Sequence, residues 1–372
     1  MKQLKTITKT TALALSALMM LFSSCNSKKQ NTKYQLSVGV DMGDPYVNPL
    51  IQLADEEGFF RDYDLSLKFD RFDRSAEFEA LQAGKTDTLY VEIIPELAQA
   101  AQGADLVLFA GTITGGEAIL ANKKIAEKLD LTNTDNWRGL TIADRIFSTD
   151  EFITKGYFLQ KGWELEKDIH WKLFESCEAI IAATLNGTTD IGIVDSFFVE
   201  SCISQGLVYL FPQTTLKTDY VCCRQTANGP KIRQQRDAYI AYLKGQIRAF
   251  KIYKTDAEKA INAIVKATRQ EPDFVSEYMY DKEGSQDMTY NPDPNYNGTL
   301  EVFTTMLSQN YLKPDGDIKL RQLDEFFDIS LYAQALKEVI SEFPDEPFYK
   351  EMWEYFVNNN NNYPDFSKRF SL

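Results

Sequence analysis

Hydrophobic and polar positions change period in a regular order over the first part of the chain. "YQLSVGV" and "DLSLKFDRF" alternate with a period of two, which indicates half-buried strands. "LIQLADEEGFF" and "SAEFEALQAGK" repeat apolar residues at helical spacing, and we expect Ser75 to cap the second of these helices. Pro95 is expected to begin the next helix, "IPELAQAAQG". This strand–helix alternation predicts an α/β layer with a largely parallel sheet.

The alternation starts again after "GTITGGEAILAN" and gives a second α/β block, with strands such as "WRGLTIAD", "DIHWKLFE" and "TTDIGIVD". Beyond Lys231 the pattern becomes almost wholly helical. The chain is therefore predicted to form two α/β lobes, one of them completed by a C-terminal helical segment. The tail has aromatic residues at helical spacing and then five asparagines, which predict an added helix and a flexible spacer.

The N-terminus has the layout of an export signal. Three lysines precede an apolar run of about a dozen residues, too short to cross a bilayer, and two serines precede Cys25. A cleavage site that ends on cysteine resembles that of a bacterial lipoprotein. The resemblance implies removal of residues 1–24, lipidation of Cys25 and a polar tether over residues 25–33. Ordinary cleavage near the same point is the alternative, and both predict export.

Charge and composition exclude several functions. The formal net charge of −14 among 372 residues argues against binding nucleic acid or anionic lipid by electrostatics, so attachment to a membrane would be through acyl chains. The single histidine, His170, opens an apparent strand without a nucleophile-elbow motif, which argues against Ser-His-Asp or Cys-His catalysis. No cysteine–histidine spacing is typical of a metal site, and we expect no cofactor.

Four cysteines follow Cys25 along the chain. Cys222 and Cys223 are adjacent in an apparent strand, so their side chains are expected on opposite faces and unbonded. For Cys177 and Cys202, a bridge and two buried thiols are the alternatives.

The order of several segments resembles one family, the extracytoplasmic substrate-binding proteins of ABC importers. These segments are "PLIQLADEEGFFRDYDLSLKF", "EFEALQAGKTDTLYVEIIPELAQAAQGADLVLFA", "TLNGTTDIGIVDSFFVESCISQG" and "FFDISLYAQAL". The likeness runs from about Tyr34 to Glu338 and is greatest to the branch that binds nitrate, taurine and aliphatic sulfonates, or thiamine-pyrimidine precursors. It implies a type 2 periplasmic-binding-protein fold, an inter-lobe ligand cleft, two crossovers and a monomer that serves an ABC permease, on the periplasmic side of the envelope. The expected divisions are 34–116 for the first part of lobe 1, 117–220 for lobe 2, 221–340 for the completion of lobe 1 with the helical segment, and 341–372 for an extension.

Ligands of parallel α/β sheets bind outside the carboxyl ends of the strands. The loops at those ends supply the candidate ligand-binding residues, which are Asp44, Tyr46, Asn48, Tyr90, Glu92, Thr112, Thr114, Gly115, Ser148, Thr149, Asp195 and Phe197. Structural roles remain as alternatives: a turn cap for Asp44, crossover geometry for Gly115, a helix N-cap for Ser148, core packing for Tyr90, and a cap for Asp195.

The candidate loops carry more acidic than basic residues. The acidic residues are Asp44, Glu92 and Asp195, and the main basic residue nearby is Arg145. This balance favours a neutral or cationic nitrogen heterocycle, such as a thiamine pyrimidine precursor, over a sulfonate or nitrate, which needs cationic donors. The alternatives are an anion binder, a ligand-sensing partner protein, or an enzyme similar to the family's fungal relatives, which make the pyrimidine from a histidine of their own chain.

Overall fold

The computed structural model describes residues 32–41, 48–73, 76–146, 148–218, 220–280, 288–314 and 319–371. The chain divides into two units, Met1–Lys33 and Tyr34–Leu372, and all the elements named below belong to the second. Cys25, Asp44, Tyr46 and the expected cap Ser75 lie outside the described residues. No helix in the described ranges is long and apolar enough to span a membrane.

The strands, in chain order, are β1 Tyr34–Asp41, β2 Leu65–Phe72, β3 Thr88–Glu92, β4 Leu106–Gly111, β5 Ile113–Thr114, β6 Glu117–Ala121, β7 Thr141–Arg145, β8 His170–Phe174, β9 Ile191–Asp195, β10 Val208–Pro212, β11 Cys223–Asn228 and β12 Thr289–Tyr290.

The α-helices, in chain order, are α1 Pro49–Glu56, α2 Phe59–Asp62, α3 Glu77–Gln82, α4 Ile93–Ala101, α5 Lys123–Ala126, α6 Thr149–Gln160, α7 Cys177–Leu185, α8 Val199–Gln205, α9 Gly229–Gln234, α10 Arg236–Thr255, α11 Ala257–Thr268, α12 Pro272–Tyr280, α13 Tyr296–Ser308, α14 Ser330–Glu342, α15 Pro347–Asn360 and α16 Phe366–Arg369. The third predicted helix begins at Ile93, two residues before Pro95, which occupies an early position of α4.

The described part of the chain has two five-stranded sheets and a small antiparallel sheet of β5 and β12. The first sheet has the strand order β2-β1-β3-β11-β4, with β1 parallel to β2 and β3, and β11 antiparallel to β3 and β4. The second sheet has the order β10-β6-β9-β7-β8, with β7 parallel to β8 and β9. We call each five-stranded sheet, with its flanking helices, a lobe. The predicted class, two α/β lobes with a helical C-terminal segment, is confirmed.

The chain crosses between the lobes twice. The first crossover runs from the end of β4 through β5 to β6, and the return crossover runs from β10 to β11. The two run side by side, because Val221 pairs with Thr114 and the Cys222 amide donates to the Ile113 carbonyl at 3.3 Å. Gly115 has φ +71°, a backbone conformation that side chains rarely adopt, so it suits this turn of the first crossover.

The helical C-terminus packs against the first lobe. Tyr332, Trp353 and Phe356 are buried in the same hydrophobic core as the first sheet. The prediction of a flexible asparagine spacer is wrong, because the run begins inside α15 and Asn360 is fully buried. Its side chain accepts a hydrogen bond from the Tyr296 amide and donates to Asp293, so a buried polar partner replaces solvent.

Candidate functional site

Charged side chains from both lobes meet where β3, β7 and β9 end. Arg145, the last residue of β7, donates through Nη2 to Glu92 Oε1 at 2.5 Å, and its Nη2 lies 3.5 Å from Asp195 Oδ1. Glu92 ends β3 of the first sheet, whereas Arg145 and Asp195 end strands of the second. We call these three residues the interlobe charge cluster. The ion pair between Arg145 and Glu92 therefore joins the two lobes directly.

The guanidinium of Arg145 is firmly charged at this junction. Burial by itself lowers its pKa, but the carboxylates of Glu92 and Asp195 outweigh burial and raise the pKa above its usual value. The two carboxylates thus compensate a partly buried cation. A ligand that enters here must either replace this cation or compete for it.

Three further carboxyl groups lie buried around the cluster. Burial raises the pKa of Asp150 to about 6, against the lowering effect of Arg145. Burial, with the nearby Asp150, raises the pKa of Asp144 well above its ordinary value. Burial raises that of Glu117 similarly, with Cys222 adding to the shift. Burial therefore favours the neutral, protonated form of these three carboxyl groups beside the one arginine of the junction.

On the first lobe, Asn48 and Tyr90 lie together near this edge of the sheet. The amide of Asn48 donates to the Tyr90 hydroxyl at 3.1 Å, and its side-chain Oδ1 caps α1 by accepting from the Leu50 amide at 2.9 Å. Tyr90 and Glu92 are two positions apart in β3, so their side chains project from the same face.

On the second lobe, two of the predicted residues already have structural roles. Ser148 caps α6, with its Oγ accepting from the Glu151 amide and donating to the Arg145 carbonyl. Thr149 donates through Oγ1 to the Cys222 carbonyl at 3.1 Å. The N-cap alternative for Ser148 is thereby observed.

The remaining predicted residues differ in availability. Asp195 makes no side-chain cap to the helical turn that follows and instead contacts Arg145. Phe197 is 58% exposed. Thr112 is buried, and its Oγ1 has no hydrogen-bond partner among the described residues. Thr114 and Gly115 form the first crossover.

Sequence reasoning missed several residues of this junction. Glu117 was not selected, although it directly follows the crossover glycines and is the charged residue of the otherwise apolar strand "EAILA". Its carboxyl group accepts from the Tyr220 hydroxyl and, at 3.4 Å, from the Cys222 thiol. Asp150 was hidden in the first turn of α6, where an acidic residue ordinarily complements the helix dipole.

The expected orientation of Cys222 and Cys223 is wrong. Their sulfur atoms lie 3.4 Å apart rather than on opposite faces. The strand begins at Cys223, so the alternation of strand side chains does not extend to Cys222. Cys177 and Cys202 are also free and buried. Within the described ranges, no three histidine, cysteine or acidic side chains are grouped to hold a metal ion.

A pocket of about 280 Å³ lies elsewhere, between α10, α14 and α15. Half of its lining residues are aromatic, among them Phe250, Tyr332 and Tyr355. Because this lining comes from the first lobe and its C-terminal helices, a ligand there would not be held between the lobes. The interlobe junction is therefore the better candidate for ligand capture.

Comparison with known proteins identifies the fold. No family model matches the sequence, and no curated protein matches it. By structure, the chain is similar to the periplasmic aliphatic sulphonate-binding protein SsuA of Escherichia coli, with a TM-score of 0.57, 16% identity, and coverage of 77% of this chain and 92% of that one. It is also similar to the periplasmic nitrate-binding protein NrtA of Synechocystis PCC 6803, with a TM-score of 0.59, 14% identity, and coverage of 82% and 88%.

The desulfurization enzyme DszB has a similar structure as well, with a TM-score of 0.55, 12% identity, and coverage of 82% of this chain and 99% of that one. Likeness at these identities demonstrates the fold, and the predicted periplasmic-binding-protein fold is confirmed. Since binding proteins and an enzyme both adopt it, the fold by itself does not choose between binding and catalysis.

Proposed function

We propose that the protein is a solute-binding protein that encloses a small molecule between its lobes and delivers it to an ABC importer. The observation that carries the proposal is the Arg145–Glu92 ion pair, which joins the lobes at the carboxyl ends of their strands. Ligands of open α/β sheets bind at such ends, and lobes joined by two crossovers close by a hinge. The similar sulphonate- and nitrate-binding proteins support the same role.

For the ligand, we propose a neutral or cationic nitrogen heterocycle, with an aminopyrimidine precursor of thiamine as the representative compound. Glu92 accepts from Arg145 in the structure and Asp195 forms an ion pair with it, so both carboxylates are suited to accept from the amino groups of such a ligand. Burial raises the pKa of the carboxyl groups behind them and so favours their neutral form, which makes Glu92 and Asp195 the acceptors that face the ligand. A cationic donor that enters would replace the guanidinium in the same hydrogen bonds.

An anion such as a sulfonate, taurine or nitrate is the second candidate. The similar structures and the presence of Arg145 favour it. Binding of an anion requires Arg145 to leave Glu92 and Asp195 and turn to the ligand, which would leave two carboxylates without their cation. That cost is the reason we place the anion second.

Two matched variants distinguish the candidates. Glu92→Gln keeps the shape of the side chain and removes its charge, so it should strongly weaken the binding of a heterocyclic cation. Arg145→Met should abolish binding of a sulfonate and leave the heterocycle bound. Thermal unfolding against a panel of thiamine precursors, taurine, alkanesulfonates and nitrate provides the readout, since a ligand at 100 times its Kd adds about 2.7 kcal/mol.

We propose binding without catalysis. His170, the histidine that a pyrimidine-forming enzyme would need, begins β8 and pairs with Thr141 at the start of β7. Arg145 is the last residue of β7, so His170 lies at the opposite end of the strands from the interlobe charge cluster. Its side chain is partly exposed beside Glu166. Incubation with pyridoxal phosphate and iron should therefore yield no pyrimidine, and formation of a product would contradict this proposal.

The proposal includes export and lipid anchoring through Cys25. The basic residues, the apolar run and the two serines before Cys25 support it. The protein from native cells should partition into the detergent phase of Triton X-114, and a Cys25→Ala variant should partition into the aqueous phase. Equal partitioning of the two would contradict the anchor.

A sensor that binds the same ligand is distinguished by uptake. For an importer component, deletion of the gene should reduce uptake of the bound compound, and the wild-type gene should restore it. A sensor would leave uptake unchanged and alter a regulatory response.

A further inference from the structure

Two adjacent cysteines meet at the hinge of the molecule. Cys222 ends the return crossover and Cys223 begins β11, and their sulfur atoms are 3.4 Å apart. A disulfide bond is about 2.05 Å long, so the two sulfurs need to approach by roughly 1.4 Å to bond. Neither thiol pairs with Cys177 or Cys202, which are free.

Polar groups next to the pair form hydrogen bonds around Cys222. The Cys222 thiol donates to Glu117 Oε1 at 3.4 Å, and the Tyr220 hydroxyl donates to Oε2 of the same carboxyl group. The contact with the Cys222 sulfur lowers the pKa of Cys223, although burial leaves it raised. The pKa of Cys222 is raised well above its usual value by the contact with Cys223 and by burial. Cys223 is thus the better nucleophile of the two.

The peptide between the two cysteines is held by both lobes. The Cys222 carbonyl accepts from the Ile93 amide at the start of α4 in the first lobe, at 3.1 Å. It also accepts from Thr149 Oγ1 at the start of α6, which follows β7 of the second sheet, at 3.1 Å. A covalent bond between the neighbouring sulfurs constrains this peptide, so it acts on both contacts at once.

We propose that Cys222 and Cys223 are a site of reversible oxidation, at which thiol exchange with a small dialkyl disulfide closes a ring between the two adjacent residues. The Cys223 thiolate attacks one sulfur of the external disulfide and releases one thiolate. The Cys222 thiol then attacks Cys223 Sγ and releases the second thiolate, which takes up the proton that Cys222 loses. The two cysteines lose two electrons and two protons, and the external disulfide gains them and leaves as two thiols.

The bond between neighbouring residues is expected to be reducible. Adjacent Cα atoms are about 3.8 Å apart across a trans peptide, less than the 4.4–6.8 Å usual for disulfides. Strained disulfides are more easily reduced, and such bonds are the labile or regulatory ones rather than the structural ones. The ring would therefore respond to the redox conditions around the protein, and it does so whatever ligand the cleft takes.

The test uses the full chain, reduced and folded, and treated with bis(2-hydroxyethyl) disulfide. After an acid quench the protein is denatured, labelled with N-ethylmaleimide and examined by peptide mass spectrometry. The peptide that contains Cys222 and Cys223 should be lighter by two hydrogens and carry no label, and dithiothreitol should restore both labels. Cys177 and Cys202 should remain fully labelled, which makes them internal controls for access of the oxidant.

Two variants separate ring closure from simple modification of a thiol. Cys222→Ser should stop at the mixed disulfide on Cys223, because the second attacking sulfur is absent, whereas Cys202→Ser should close the ring as the wild type does. Hydrogen exchange at the Ile93 amide should become faster on oxidation of the wild type but not of Cys222→Ser. Full labelling of Cys222 and Cys223 after treatment, two mixed disulfides, or a bond to Cys177 would each overturn the proposal.

Discussion

A partly buried arginine, Arg145, and a fully buried one, Arg224, serve the two lobes in different ways. Arg145 pairs with carboxylates of both lobes, Glu92 and Asp195. Arg224, on β11, instead donates to backbone carbonyls, to that of Cys223 where the return crossover meets β11, at 2.7 Å, and to that of Ile113 in the first crossover, at 3.4 Å. Under the proposed hinge closure, the first arginine joins the two surfaces that separate, and the second connects the two chain segments that form the hinge.

The pKa of Arg145 is raised and that of Arg224 is lowered, because the two side chains have different partners. Burial lowers both, but Glu92 and Asp195 reverse the effect at Arg145, whereas the distant attraction of Asp293 does not reverse it at Arg224. Carboxylate partners can be exchanged for a ligand, and carbonyls of a crossover cannot. The comparison therefore assigns ligand exchange to the surroundings of Arg145 and hinge stability to those of Arg224.

The largest effect on stability is expected at the hinge arginine. Arg224→Leu leaves the Cys223 carbonyl without its side-chain donor and Asp293 without a nearby positive charge, so the free energy of unfolding should fall by about 4 kcal/mol. Urea unfolding measures it. Arg233→Leu is the control, since Arg233 pairs with Asp105 on the surface and its loss should cost at most about 1 kcal/mol. Equal losses in the two variants would contradict the role of Arg224.

Each arginine has a buried carboxyl group nearby whose pKa burial raises to about 6, Asp150 at Arg145 and Asp293 at Arg224. The folded protein then binds more protons than the unfolded chain between pH 4 and 6, so stability falls as pH rises through that window. Asp150→Asn and Asp293→Asn should each remove part of this fall, up to about 3 kcal/mol. Urea unfolding from pH 4 to 7 measures it, and curves parallel to the wild type would contradict the assignment.

Bound ligand should affect the titration of only one of these two carboxyl groups. Asp150 borders the interlobe charge cluster, so saturating ligand should change its contribution to the pH dependence of stability. The contribution of Asp293 should stay the same. Calorimetry in buffers of different ionisation enthalpy measures the protons exchanged on binding. Loss of this proton exchange in Asp293→Asn would contradict the comparison, because it would place ligand binding near Arg224 rather than near Arg145.

A smaller effect is expected at the asparagine that supports Asp293. Asn360→Ala removes hydrogen bonds to Asp293 and to the Tyr296 amide in a buried place, so unfolding should become easier by about 2 kcal/mol. Asn362→Ala, on the exposed end of the same run, should change stability by no more than about 0.5 kcal/mol. Similar losses of stability in the two variants would contradict a structural role for Asn360 and favour a spacer.

The smallest effect is expected at Phe197, an exposed ring next to Asp195. Phe197→Ala should weaken binding of the heterocycle by about 0.5–1.5 kcal/mol through loss of an aromatic contact. The midpoint of unfolding should not change. Titration calorimetry measures the affinity. Phe274→Ala, at another exposed ring, is the matched control and should not alter binding.

The fold was predictable from sequence because its signals are local. Alternation in "YQLSVGV" and helical spacing in "IPELAQAAQG" depend on near neighbours, and the structure has β1 and α4 there. The ends of strands likewise led to Glu92 and Asp195. Their partner relation to Arg145 was not predictable, since Glu92 and Arg145 are 53 positions apart and meet through two different sheets.

The failures have the same origin. Asn360 looks solvated by composition, and its burial depends on Asp293, 67 positions away. The contact between Cys222 and Cys223 depends on where β11 begins, and helix and strand boundaries are poorly marked in a sequence. Long-range partners and element ends are therefore what the pattern of the chain left undetermined.

The most direct test of ligand capture at the interlobe charge cluster is titration calorimetry of the soluble protein beginning at Asn26, with an aminopyrimidine precursor of thiamine and, separately, with an alkanesulfonate. We predict saturable binding of the pyrimidine that Glu92→Gln weakens and Arg145→Met retains, and no binding of the sulfonate. Binding of the sulfonate that is lost in Arg145→Met would contradict the proposed ligand class and make Arg145 the anion-binding residue.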